Sequence, residues 1–192
     1  MKVEIHDRQR VFDGFFKIEQ VKLKYERFDG SMSPLITRLN FERGDSVAAA
    51  VFNIDTQKVI LVNQFKYPSY EKGPGWITEL VAGMIDPGES SEEAIRREIR
   101  EEIGYETTRV EHINTFYVSP GGSSERIVLF YAEVENSSSR GPGGGLASEA
   151  EDIRVIELTL PEVRQMLMSK AIEDAKSIIA LTWLQGRWSQ LA

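Results

Sequence analysis

Cysteine is absent from all 192 residues. Disulfides, thiolate metal sites and cysteine nucleophiles are therefore excluded, and the composition suits a reducing compartment. Histidine is nearly absent: His6 and His112 stand far apart and have no metal-ligand spacing. No run approaches the roughly 18 apolar residues of a membrane-spanning helix. The opening MKVEIHDRQRVFDG is charged and lacks the apolar centre of a secretory signal. The chain thus reads as cytoplasmic, with no membrane partner. Positive charge is in deficit, 23 Lys and Arg against 30 Asp and Glu, for a net charge of −7. That balance argues against a nucleic-acid partner, whose backbone asks for a basic face. An acidic protein acting on anionic substrates needs a counter-charge, and a divalent cation supplies one. The remainder is ordinary: 41 % apolar and 28 % charged residues match globular averages. The length fits one domain with a small appendage.

Along the chain, residues 15–25 alternate apolar and charged positions as a half-exposed strand does, and Phe28-Asp29-Gly30-Ser31 is a turn signal. A second extended run, 32–41, completes a small antiparallel sheet. Residues 46–54 and 58–65 are apolar runs of buried-strand type, joined by Asp55-Thr56-Gln57. A Pro/Gly loop follows at 71–75, then WITELVAG as a further strand. A helix is predicted over 91–103, opened by Ser90 and Glu93 in capping-box spacing and stopped by Gly104. Strands are expected at 110–118, 127–134 and 153–160. The polar, glycine-rich ENSSSRGPGGG, residues 135–145, reads as a mobile loop. Helices at 161–169 and 174–184 close the chain, and no internal repeat is present.

The predicted helix carries Glu98, Glu101 and Glu102. At about 100° per residue, Glu98 and Glu102 lie about 40° apart, with Glu101 about 60° to the other side of Glu98. Three like charges on one stripe repel. A hard divalent cation with oxygen ligands relieves that repulsion, and magnesium is the usual choice beside phosphates. A solvated acidic face paired to arginines has the same sequence pattern. Arg97 stands four residues before Glu101, where it can pair with it.

The residues alone leave both readings open, and a resemblance bears on them. Gly83, five residues, Glu89, seven residues, then Arg97-Glu98-Ile99-x-Glu101-Glu102-x-Gly104 resembles the Nudix box position for position. Tyr105 alone departs, at a packing place usually filled by an aliphatic residue. The resemblance extends to WITELVAG and to the order of elements from about Val47 onward. It implies an α/β fold, the Nudix α/β/α sandwich over 44–192, with the small N-terminal antiparallel β-sheet over 1–43. It also implies Glu98 and Glu102 as principal magnesium ligands, with manganese able to substitute, Glu101 as a further ligand or helper, and the Ala82 carbonyl as a backbone ligand. Arg97 would orient the carboxylates. The family hydrolyses a nucleoside diphosphate linked to another group.

The substrate is sought outside the box. Pro120 lies fifteen residues after Tyr105, as in the ADP-ribose pyrophosphatase subgroup. SPGGSSER, GLASEAEDIRV, SIIALTWLQ and the FERG at 41–44 are similar to that subgroup too. The resemblance implies Glu149 as general base, with Glu101 and Glu151 as rivals, and Glu151 as an extra metal contact. It implies Phe15 and Arg38 clasping adenine, one of them from the partner subunit of a homodimer, and Glu125 against a ribose hydroxyl. Lys66 stands where that subgroup carries arginine, so the charge is kept and the planar fork lost. The expectation is hydrolysis of ADP-ribose to AMP and ribose 5-phosphate. GDP-mannose or another nucleotide sugar is the alternative substrate, and a non-catalytic nucleotide-sugar sensor the alternative class.

Overall fold

The computed structural model describes residues 1–138 and 141–188, and for Glu149 its backbone alone. The chain forms two compact units. One comprises Met1–Asp45 with Phe116–Arg126, the other Ser46–Thr115 with the residues from Ile127 onward.

The first unit is an antiparallel meander of β1 (Val3–Asp13), β2 (Lys17–Tyr25) and β3 (Ile36–Glu42). The expected turn is present, with Gly30 at φ 82° and Asp29 accepting the Ser31 N–H. The strand β1 was not expected. Nearly all its side chains are exposed, so no buried face imposes a readable period of two. On the far side of β3, the SPGG turn joins the sheet: Phe41 N–H donates to the Gly122 carbonyl at 2.8 Å, and Asn40 donates to Ser124 Oγ. FERG and SPGGSSER are thus neighbours in space.

The second unit is built on a sheet in the order β10-β5-β4-β9-β8, formed by β4 (Ser46–Asn53), β5 (Lys58–Phe65), β8 (Thr107–Tyr117), β9 (Arg126–Val134) and β10 (Arg154–Thr159). β4 is buried along its whole length and runs parallel to β9. Its odd residues Val47, Ala49 and Val51 join a core with Ile95, Ile99 and Ile103 of α2 (Ser91–Ile103). α4 (Ala175–Gln185) packs on β4 as well, and α3 (Leu160–Met168) packs against α4, β10 and β5. Tyr105 is buried in the core under α2, consistent with a packing position.

WITELVAG is two strands rather than one. β6 (Trp76–Glu79) pairs with β5, β7 (Val81–Met84) pairs with β4, and Leu80 between them changes partner. Because β4 and β5 pair with each other only at 51–53 and 58–60, they leave a fork that β6 and β7 fill. The Leu80 N–H, freed from the ladder, donates to Ser177 Oγ at 2.9 Å. A short helix α1 (Tyr67–Tyr70), with Pro68 in its first turn, and a 3-10 turn over Ala147–Glu149 were also not expected.

Candidate active site

The helix that carries the carboxylates begins and ends as the sequence indicates. Ser90 and Glu93 form the reciprocal capping box, and Gly104 takes the left-handed cap at φ 77°. Its Ile95, Ile99 and Ile103 stripe is buried, which turns Glu98 and Glu102 toward β7 and the fork. Gly83 explains how close they come. A Cβ built at Gly83 would lie 1.9 Å from Glu98 Oε1, so the carboxyl rests directly on the β7 backbone beside Ala82.

Arg97 binds the carboxylates together. Its guanidinium donates to both oxygens of Glu89 at 3.0 Å, to Glu98 Oε1 at 2.7 Å, to Glu101 Oε2 at 3.1 Å and to the Met84 carbonyl at 3.0 Å. Those bonds, Glu89 first, hold its pKa above the ordinary value. Burial pushes the Glu98 carboxyl up to about 7 against the pull of Arg97, with Glu101 and Glu151 adding to the rise. Glu102 is 2 % exposed and its Oε2 has no hydrogen-bond partner. Burial first, then Glu98 and Glu79, drives its pKa well up, while Lys66 opposes them. Removing a carboxylate from water without a partner is costly. This donor set suits a hard divalent cation: an orphaned buried oxygen, a second carboxyl in a cradle only glycine leaves open, and a third carboxylate beside them. As the side chains stand, no three His, Asp or Glu among the described residues are close enough together to hold an ion; Arg97 engages Glu98 and Glu101 instead.

Glu151 belongs to the same cluster, its charge acting on both Glu98 and Glu102. Its Oε2 accepts the Leu146 N–H at 3.0 Å. The glycine run before it differs from a free loop. Gly144 N–H donates to the Glu102 carbonyl at 2.8 Å, Gly145 N–H to the Glu101 carbonyl at 3.1 Å, and Gly141 N–H to the Gly104 carbonyl at 2.7 Å. The run thereby caps the last turn of α2, whose carbonyls otherwise lack partners. Glycine is required there by approach: a Cβ at Gly143, where φ is 58°, would lie 2.9 Å from the Ile103 carbonyl carbon. The Glu149 side chain lies outside the described residues.

The remaining expected residues fall in two places. Lys66, at the start of α1, has its ammonium 3.6 Å from Glu79 Oε1. Phe15, Arg38 and Glu125 belong to the first unit. Phe15 is 83 % exposed and edge-on to Phe16; Arg38 is exposed on β3; Glu125 sits 3.5 Å from Arg43, which lies over the Phe16 ring. Sequence reasoning passed over Glu79, Lys176 and Asp174, and gave Glu89 no role as the clamp on Arg97. A glutamate inside the apolar WITELVAG was the available signal.

Known proteins resemble this chain in sequence and in fold. The NUDIX domain model matches residues 42–181. The ADP-ribose pyrophosphatase of Escherichia coli strain K12 is 38 % identical over 184 residues, 95 % of this chain and 88 % of that protein. The GDP-mannose pyrophosphatase of Pectobacterium atrosepticum is 35 % identical over 181 residues, 93 % of this chain and 92 % of that protein. A crystal structure of an ADP compounds hydrolase superposes with a TM-score of 0.72 at 22 % identity, covering 98 % of this chain and 97 % of that one. It carries the likeness of fold.

Proposed function

Because the chain belongs to the NUDIX family, we propose that it hydrolyses the pyrophosphate bond of ADP-ribose, with water, to AMP and ribose 5-phosphate. The observation that carries this reading is the α2 carboxylate cluster, with the orphaned Glu102 oxygen and the Gly83 cradle, in a chain that matches ADP-ribose pyrophosphatases over nearly its full length.

Glu98 and Glu102, with Glu101, Glu151 and the Ala82 carbonyl, are the groups assigned to hold magnesium, which manganese can replace. A bound ion of this kind neutralises phosphate oxygens and lowers the pKa of water. The chain's own residues supply the rest. Arg97 keeps Glu98 and Glu101 in register by hydrogen bonds to both. Lys66 offers an ammonium to the diphosphate. Glu149 takes the proton from the attacking water, with Glu101 and Glu151 as the rival bases. Phe15 and Arg38 hold adenine between a ring face and a guanidinium, one of the two coming from the second copy of a homodimer, and Glu125 accepts from a ribose hydroxyl. The protein acts in the cytoplasm on a small nucleotide sugar and uses no nucleic acid.

A second reading, GDP-mannose as substrate, is suggested by the 35 % identical relative, and lysine in place of arginine at position 66 departs from the ADP-ribose subgroup. A panel of nucleotide sugars with magnesium, products separated by chromatography, tests the substrate. AMP and ribose 5-phosphate from ADP-ribose are expected; an inert ADP-ribose beside a cleaved GDP-mannose overturns the substrate alone. Glu149→Gln is expected to lower kcat by ~10²–10⁴-fold with little change in KM. Normal turnover of that variant, with Glu101→Gln or Glu151→Gln inactive, moves the base.

A further inference from the structure

A second charged group lies in the same unit as the carboxylate helix. Glu79 ends β6 and is 6 % exposed. Its Oε2 receives the ammonium of Lys176, whose side chain is 11 % exposed. Lys176 Nζ is also 3.1 Å from Asp174 Oδ1. Asp174 caps α4 by accepting from the Ser177 N–H and hydroxyl, and Ser177 Oγ in turn accepts the Leu80 N–H. Side chain and backbone thus fasten Glu79 and Leu80 to the N-terminus of α4, two residues before Ala82. Burial works against the Lys176 ammonium, yet Glu79 and Asp174 outweigh it and keep its pKa above the usual value.

The other oxygen of Glu79 faces away from this brace. Oε1 is 3.5 Å from Gln64 Nε2 and 3.6 Å from Lys66 Nζ. An internal staple needs only Glu79, Asp174 and Lys176. Lys66, with a 43 % exposed side chain, adds nothing to it and costs rotamer freedom on a four-carbon stem. Lys66 directly follows Phe65, which pairs with Trp76 at the start of β6, and at Glu102 its charge opposes those of Glu98 and Glu79. A lone carboxylate beside Lys66 would cancel the charge that a diphosphate needs. Here Lys176, shared with Asp174, offsets part of the Glu79 charge from behind, and Glu79 Oε1 gives the Lys66 ammonium a direction.

We propose that Glu79, braced by Lys176 and Asp174, is a positioning residue that aims the Lys66 ammonium at the diphosphate of the substrate. The inference rests on the reading of the chain as a nucleoside diphosphate sugar hydrolase. It accounts for how a lysine serves where a guanidinium fork would fix its own orientation: the direction comes from a buried carboxylate.

A double-mutant cycle tests it, with kcat and KM measured in magnesium on whichever nucleotide sugar the wild-type chain cleaves best. Glu79→Gln and Lys66→Met are each expected to raise KM about tenfold, the scale of one lost charge-assisted contact, with a smaller effect on kcat. The double variant is expected to be no worse than Lys66→Met. Lys66→Arg, whose fork needs no aiming, is expected to restore KM in the Glu79→Gln background, which a purely structural Glu79 does not allow. Should Glu79→Gln fail to fold, the cycle is run with Glu79→Asp, which keeps a buried charge for Lys176 to offset and shortens its reach towards both lysines by one methylene. Multiplicative effects in the double variant, or no rescue by arginine, overturn the positioning role while leaving the hydrolase reading intact. A wild-type chain inert towards every nucleotide sugar removes both.

Discussion

Glu102 carries a carboxylate oxygen into the core without a partner, and Glu98 is buried beside it. Both are held in the acid form more readily than an ordinary glutamate. The folded Glu98 carboxyl titrates at about 7 against 4.5 for the free side chain. Between those two values the folded protein keeps a proton that the unfolded chain has released. The contribution of this group to the stability of the metal-free protein is therefore fully present below about pH 4.5, falls as pH rises, and is gone above about 7. Glu102 acts in the same direction. Thermal unfolding in EDTA between pH 5 and 8 is expected to show that slope. In Glu98→Gln it is expected to flatten, leaving the variant ahead of wild type above pH 7 by on the order of 1–3 kcal/mol. The same variant is expected to lose orders of magnitude in kcat with magnesium. Parallel pH slopes for wild type and variant, or full activity of the variant, contradict this. Gly83 makes a sharper demand. Its Cβ would fall inside the Glu98 carboxyl, so Gly83→Ala is expected to fold with Glu98 displaced and hydrolysis abolished. Retained hydrolysis by Gly83→Ala, measured by AMP release, shows that the carboxyl need not rest on β7.

At the scale of elements, the glycine run and α2 form one piece. Gly144 and Gly145 cap the carbonyls of Glu102 and Glu101, so the segment that leads to Glu149 and Glu151 is anchored on the helix that carries the other carboxylates. Gly143→Ala combines a positive φ with a 2.9 Å approach to backbone and is expected to destabilise by roughly 1–3 kcal/mol. It should lower activity more than a surface substitution of equal cost, as denaturation and rate assays on the same preparation would show. Unchanged stability means the run does not hold α2. The sequence indicated loop character here from composition, yet glycine serves close approach as well as mobility, and composition does not distinguish them. α2 itself was legible because its cap, stripe and stop are all local. β1 was not, since a strand exposed on nearly every position has no alternation to read. The break at Leu80 was hidden because the exchange of partners depends on how β4 and β5 diverge. Glu79 showed as an acid in an apolar run, but its partner Lys176 is 97 residues away, beyond any local pattern.

For the whole molecule, the first unit keeps large apolar side chains on its surface, among them Val3, Ile5, Val11, Phe12, Phe15 and Leu39. β1 is an edge of its sheet. Exposed apolar side chains beside an open strand edge are what a partner covers. Light scattering is expected to give about twice 21.8 kDa, and a fully active monomer removes any role for a second copy's Phe15 or Arg38. The parallel pairing of β4 with β9 bears on time as well as form. Ser46 finds Ile127, and Arg154 finds Asn63, only after some 80 to 90 intervening residues exist. Contacts of that separation close slowly. Refolding followed by tryptophan fluorescence is expected to take milliseconds to seconds rather than microseconds, and a microsecond phase of full amplitude would be inconsistent with this topology. On the ribosome the consequence is an order of events. The helix bearing Glu98 and Glu102 is made before β9, which completes the sheet that buries it, and the Glu79 brace waits for Lys176, 97 residues after it. Until those partners have been made, the nascent chain carries the acidic residues of that helix solvated.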